Sequence, residues 1–123
     1  MRIVDEIFYM LPPVRHWRKT QLDKRRQIAE KLVELICREA NVLAWKITGS
    51  TARRDFGFTS DLDIDILVET DRDAEIGNKL ARYYQKLILE QQNILIDFMV
   101  DSKESLFKYP TLENLVKKYY NLE

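Results

Sequence analysis

Apolar positions recur along this chain with two different periods, and the switches between them mark out its elements. Ile28, Leu32, Leu35 and Ile36 fall on one helical face. They predict a helix from about Gln21 to Glu39, with Thr20 and Asp23 as a capping pair and Asn41 as the exit. Upstream, Ile3, Val4, Ile7, Phe8 and Leu11 keep the same spacing. They predict a short amphipathic helix stopped by Pro12-Pro13. "VLAWKIT", Val42 to Thr48, is a strand by length and by its β-branched and aromatic content, and Gly49-Ser50 ends it. Residues 51–60 read as one helical turn followed by a loop.

From Asp61 to Glu69 the period falls to two. Leu62, Ile64, Ile66 and Val68 share one face, and Asp61, Asp63, Asp65 and Leu67 share the other. A helical stripe of Ile76, Leu80, Tyr83, Tyr84 and Leu87 follows, with Gly77 as a weak spot. "NILIDFMV", Asn93 to Val100, predicts a third strand whose apolar run is broken only by Asp97. A last helix begins near Pro110 and carries Leu112, Leu115, Val116 and Tyr119. The order helix, strand, strand, helix, strand, helix predicts an α/β fold, a small sheet flanked by helices.

A chain of 123 residues with 46% hydrophobic content builds one modest core, and 33% charged residues suit a soluble surface. Twenty basic and twenty acidic side chains cancel, so only their distribution is informative. Residues 15–26 hold Arg15, Arg18, Lys19, Lys24, Arg25 and Arg26 against Asp23, whereas residues 55–75 are acidic apart from Arg72. The basic run has no aromatic interleaving beyond His16-Trp17. Partner docking or a solvated face explains it as well as nucleic acid does, so a nucleic-acid partner is not expected. The lone His16 has no surroundings suited to a base or a ligand. Trp17 is expected to pack.

Cys37, the single cysteine, excludes an internal disulfide and a cysteine zinc site. Its place in an apolar helix predicts a buried, inert thiol. No apolar run approaches the ~20 residues that span a bilayer, and the start lacks a signal peptide's apolar core. The expectation is a soluble cytoplasmic protein.

Three aspartates on one strand face, with no base between them, cost energy unless a cation or a proton relieves them. Asp61 and Asp63 can lean toward a common point, and Asp97 can join them from a neighbouring strand. An acid inside "ILIDFMV" is expected to be paired, protonated or metal-bound, because burying it alone is costly. Hard carboxylate oxygens favour Mg²⁺ or Mn²⁺. A calcium loop would need Gly and Glu where Ile66 and Arg72 stand. A strand ending in Gly49 lets a phosphate approach the backbone closely, and Ser50 adds a hydroxyl donor.

Gly49-Ser50, ten residues, then Asp61-Leu62-Asp63 resembles the Gly-Ser-x10-Asp-x-Asp signature of the nucleotidyltransferase superfamily that includes DNA polymerase β. Ser60 before Asp61, the apolar run after Asp65, and Asp97 on the later strand fit it as well. The resemblance covers Val42 to Val100 and is nearest to the minimal nucleotidyltransferases. It implies a polymerase β-like palm with a mixed sheet, in which residues 21–123 form the catalytic domain. Residues 1–20 are then an N-terminal amphipathic helix and basic segment.

The resemblance also implies roles. Asp61, Asp63 and Asp97 would be the catalytic, metal-binding carboxylates, with Asp97 the base toward the acceptor. Gly49 and Ser50, with Arg53 and Ser60, would meet the nucleotide, ATP being the expected substrate. Asp65 departs from the usual apolar residue at its place and is not expected to bind metal directly. With only a short segment after Val100, the site needs completion from outside. In the minimal family that companion is often a helical HEPN toxin, adenylylated on a tyrosine, which makes the chain an antitoxin. A small-molecule (antibiotic) nucleotidyltransferase, working as a homo-oligomer or with a different helical subunit, and a non-catalytic nucleotide-binding partner protein are the alternatives.

Overall fold

The computed structural model describes residue 8 and residues 10–122. The expected N-terminal helix falls mostly outside these residues. Phe8 and Met10 are helical and Leu11 is not, so helix does end before Pro12, and Pro12 and Pro13 then open another: α1 is Pro12–Cys37. Leu11 is extended, and proline in the first turn gives up no helical hydrogen bond, because those N–H groups have no partner in a helix anyway. The helix expected from Gln21 therefore starts nine residues earlier. Thr20 lies inside it, its hydroxyl donating back to the His16 carbonyl at 3.0 Å and capping nothing.

Strand β1 (Val42–Thr48) leads into a short helix α2 (Gly49–Arg53), a loop, and β2 (Leu62–Val68). Helix α3 (Asp71–Gln92) starts at a capping box in which Thr70 and Asp73 exchange side-chain and backbone hydrogen bonds. It ends at Asn93 in the left-handed conformation, one that asparagine tolerates. That cap delays the third strand: β3 is Ile96–Ser102, not Asn93–Val100. A four-residue helix α4 (Lys103–Leu106), capped by the Ser102 hydroxyl and not foreseen, precedes α5 (Pro110–Tyr119).

The sheet order is β1-β2-β3. β1 runs antiparallel to β2, with a bulge between Val42 and Ala44, and β2 runs parallel to β3. Parallel neighbours need a long crossover, and α3 supplies it. This is the mixed α/β sheet that the sequence and its resemblance led us to expect.

The core forms where α1 and α3 cover one face of the sheet. Leu62, Ile64 and Ile66 of β2 are fully buried with Val68 against Leu32 and Ile36 of α1 and Ala81, Tyr84 and Ile88 of α3. Each such aliphatic side chain contributes about 1.5–3 kcal/mol by leaving water. Gly77, the expected weak spot, lies buried where α3 packs against Val100 of β3. A Cβ there would stand 3.1 Å from Val100 Cγ1. Asp71 accepts from the Ser102 and Ser105 hydroxyls, which pins the start of α3 to α4 and holds its carboxyl below the usual range.

Cys37 is exposed, not buried. Ile28, Ala29, Leu32, Val33 and Ile36 make the inward stripe of α1, and the residue after Ile36 is turned about 100° away from it. We therefore expect the native protein to react fully with a thiol reagent without denaturant. Reaction only after unfolding would contradict this placement.

Candidate active site

The open face of the sheet carries the carboxylates. Asp63 and Asp97 are directly paired in the parallel β2–β3 ladder, and Thr48 is the partner of Asp63 on β1. One step along, Lys46, Asp65 and Met99 occupy the next row. Strand alternation thus delivers what the sequence suggested, with Leu62, Ile64 and Ile66 inward and the acids outward.

Asp97 departs from expectation in one respect. It is exposed rather than buried, because β3 is an edge strand that turns Ile96, Phe98 and Val100 toward the core and Asp97 to the open face. Its charge is relieved by water on one side and faces Asp63 on the other. Asp63 is half-buried, and its carboxyl is held above the usual range. Burial is the largest cause, followed by the charge of Asp97 and then that of Asp61. The Asp97 side chain is also within hydrogen-bonding reach of it. Among the described residues no three His, Cys, Asp or Glu side chains close into a ready cage. What exists is a pair, Asp63 with Asp97, and a third acid at the entrance to β2 whose charge is felt at Asp63.

Gly49 explains the tight fit beside this pair. Its φ of +63° is left-handed, and a Cβ there would overlap Asp63 Oδ2 and stand 3.0 Å from its Cγ. The Gly-Ser bend and the β2 aspartate are thus packed against each other with no room for a side chain. A cleft of about 280 Å³ opens over this row, lined by Thr48, Asp63, Asp65, Asp97, Phe98 and Met99.

The remaining expected residues are placed as follows. Ser50 lies in α2, with its carbonyl accepting from the Asp55 N–H at 3.0 Å. Arg53 is exposed and its Nε donates to Asp55 at 3.3 Å. Ser60 works within the loop, its hydroxyl accepting from the Gly57 N–H at 2.8 Å.

Two features escaped the sequence reading. Arg25, from the basic run, is only 3% exposed and clamps the loop. Its guanidinium donates to Thr51 Oγ1 at 2.9 Å, to the Asp61 carbonyl at 3.0 Å and to the Ser60 carbonyl at 2.6 Å. It also lies over the Phe56 ring at 4.5 Å. Burial lowers its pKa, and the charges of Asp61 and Asp63 oppose that shift. One side chain thus ties α1 to both ends of the segment that runs from the Gly-Ser bend to the first aspartate. The signal was present as an Arg three residues before Ile28 on the same helical face, but a run of six cations hid which one turned inward.

The second feature is Tyr119. Its hydroxyl donates to Asp65, raising the phenol to about 12 through burial and that carboxylate. Lys46 Nζ sits 3.7 Å above its ring and donates to its carbonyl oxygen at 3.2 Å. Asp65 is therefore engaged by α5 and is not part of the Asp63–Asp97 pair.

With this geometry in hand, comparison with known proteins identifies the class. A family model described as the nucleotidyltransferase domain matches residues 26–122. The chain belongs to that family, as a minimal nucleotidyltransferase of the DNA polymerase β superfamily, and the chemistry of the family is transfer of a nucleoside monophosphate. No curated protein and no solved structure matched it in the same comparisons. No helix among the described residues is long and apolar enough to cross a membrane.

Two outcomes check the site. Gly49→Ala should cost about 1–2 kcal/mol through its left-handed backbone and displace the Asp63 carboxylate, so the melting temperature and any divalent-metal affinity should fall together. Because the carboxyl of Asp63 is raised in the fold, its contribution to stability is complete below the unfolded pKa and is lost as pH rises through the folded one. In metal-free buffer, Asp63→Asn should therefore gain in melting temperature relative to the parent as pH rises from about 3 to about 7. A gap that is the same at every pH would remove the proposed repulsion.

Proposed function

We propose that this chain transfers AMP from ATP to a hydroxyl acceptor, most specifically a tyrosine of a helical HEPN-type partner, and that it acts as the antitoxin of that pair. The observation that carries the transfer reading is the Asp63–Asp97 pair packed against a left-handed Gly49. The donor set fits a hard divalent cation: the ligands are carboxylate oxygens, and the Asp63 carboxyl, raised by burial and then by Asp97, makes no ion pair among the described residues. Asp61, Asp63 and Asp97 would hold Mg²⁺ or Mn²⁺. When bound, the metal offsets the charge of the triphosphate and of the departing pyrophosphate.

The chain's own residues do the rest. Gly49 and Ser50 would bring backbone and hydroxyl donors toward the β and γ phosphates, and Arg53, one turn further along α2, would exchange its exposed Asp55 partner for a phosphate oxygen. Ser60, whose hydroxyl already accepts from the Gly57 N–H, keeps its O–H to donate toward the nucleotide. Asp97 takes the proton of the acceptor hydroxyl. The new O–P bond forms at the α phosphorus as the bond to the β,γ-bridged pyrophosphate breaks on the opposite side, and the adenylylated acceptor is released.

The partner reading is supported by how little covers the reacting face. Asp97 is exposed and Met99 is 56% exposed, so the acceptor has to be delivered from outside the chain. A protein tyrosine is a suitable acceptor because it projects about one ring's length into such a shallow cleft. The small-molecule reading has its own observation. An apolar cavity of about 470 Å³, walled by Leu106, Leu115 and Tyr120, shares Asp65 and Met99 with the cleft and would take a compact acceptor.

Mg²⁺ with ATP should raise the melting temperature, and Asp61→Asn with Asp63→Asn should abolish the shift. Incubated with a co-encoded helical partner, the protein should leave ~329 Da AMP adducts on that partner's tyrosines, and Asp97→Ala should stop them (two-metal phosphoryl-transfer logic). A thermal shift that survives the double substitution would contradict the metal assignment. Adducts on an antibiotic instead would favour the compact acceptor.

A further inference from the structure

Asp65 stands where the family pattern has an apolar residue, and transfer to an outside acceptor gives it no task. Its surroundings give it one. It lies one row along the open sheet face from the Asp63–Asp97 pair, in register with Lys46 of β1 and Met99 of β3. It lines the cleft over that pair, and it also lines the cavity under α5 that Tyr119 helps to wall. Asp65 and Met99 are the residues common to the two spaces, so they mark the boundary between them.

At that boundary the Tyr119 hydroxyl donates to Asp65. Among the described tyrosines it alone has its hydroxyl bonded to a carboxylate. Tyr83 and Tyr109 are more exposed and make no such bond, and Tyr84 is buried. Lys46 Nζ, 3.7 Å from the Tyr119 ring centroid, sets a cation beside the same phenol. A hydroxyl bonded to a carboxylate is the arrangement of a nucleophile with its base, and the adjacent ammonium suits an incoming phosphate.

Fastening α5 to the sheet is one use of this contact, and the buried Val116 of α5 already contributes to that. It does not explain why the hydroxyl and the acid meet beside the reacting pair. The row of Asp65 is one strand repeat, about 6.5 Å, from the row of Asp63. Tyr119 is the last residue of α5, and helix ends fray, so its side chain is free to make that step.

We propose that Tyr119 is itself an acceptor: without a partner, the chain transfers AMP from ATP to its own Tyr119. The proposal rests on the transfer reading above and adds to it a modification site within the chain. Tyr119 Oη forms a bond to the α phosphorus. The bond from that phosphorus to the oxygen shared with the β phosphate breaks, and its electron pair leaves on pyrophosphate. The phenolic proton passes to Asp65. The product is an aryl phosphodiester that can no longer donate to Asp65. Its nucleotide lies at the cleft that an outside acceptor needs, so a chain so modified is closed to that acceptor.

The test is intact-mass spectrometry with peptide mapping of the full chain, incubated with ATP and Mg²⁺ and no partner. One ~329 Da AMP adduct per chain should appear and map to Tyr119. The fraction modified with time should not change over about a hundredfold range of protein concentration, because both groups belong to one molecule. Tyr119→Phe, which keeps the ring under Lys46 and removes the hydroxyl, should carry no adduct. Asp65→Asn should slow its formation at least about tenfold. Tyr83→Phe and Tyr109→Phe should be modified as the parent is. Mapping the adduct in the parent needs no variant, so an unstable Tyr119→Phe leaves the test intact. An adduct at another residue, or a rate that rises with protein concentration, would overturn the proposal. Adducts on a helical partner with Tyr119 unmodified would also overturn it and leave the transfer reading standing. No adduct on either chain, with no thermal shift by ATP and Mg²⁺, would overturn both.

Discussion

Two carboxylates paired in register on neighbouring parallel strands repel each other, and much of this molecule is arranged to hold them there. Asp63 and Asp97 cannot separate, because the strands that carry them are fixed by Leu62, Ile64, Ile66 and Ile96, all fully buried beneath the same sheet. Apolar burial of several such side chains, at about 1.5–3 kcal/mol each, exceeds what a solvent-screened pair of charges costs. The core thus holds the repulsion in place, and a cation between the two carboxylates would relieve it.

Around that pair the chain makes two close fits. Gly49 gives up its side chain so that the end of β1 can lie against Asp63. Arg25 reaches across from α1 and fixes the Asp61 carbonyl, the Ser60 carbonyl and the Thr51 hydroxyl at once. A loop of eight residues with no regular structure would otherwise set the distance between bend and aspartate loosely. A buried guanidinium with three acceptors sets it firmly, and catalysis by positioned charge depends on such fixed geometry. Tyr119 performs a related service for Asp65, fixing that carboxylate to α5 through its hydroxyl.

Much of this was legible in the sequence where local periodicity decides the structure. The alternation from Asp61 to Glu69 placed the buried and acidic faces correctly, and the Gly-Ser bend with its following aspartates pointed to the family. Legibility failed where one residue type has two uses. Pro12-Pro13 follows the end of one helical stretch and also starts the next, and only the first use was read. Cys37 sat in an apolar helix yet one step past the inward stripe. Asp97 looked buried because its neighbours were apolar, but an edge strand has an open face, and edge or centre is a property of the sheet rather than of the segment. Arg25, Tyr119 and the Trp17–Phe58 contact depend on residues dozens of positions apart, which no local pattern records.

The Asp63–Asp97 pair is the chain's proposed cation site. Paramagnetic Mn²⁺, added in trace amounts with ATP to protein carrying ¹³C-labelled aspartate carboxyls, tests this most directly. The signals of Asp63 and Asp97 should broaden first, with Asp61 close behind and Asp65, Asp71 and Asp101 later. Broadening that begins elsewhere, or that touches Asp63 and leaves Asp97 sharp, would contradict it.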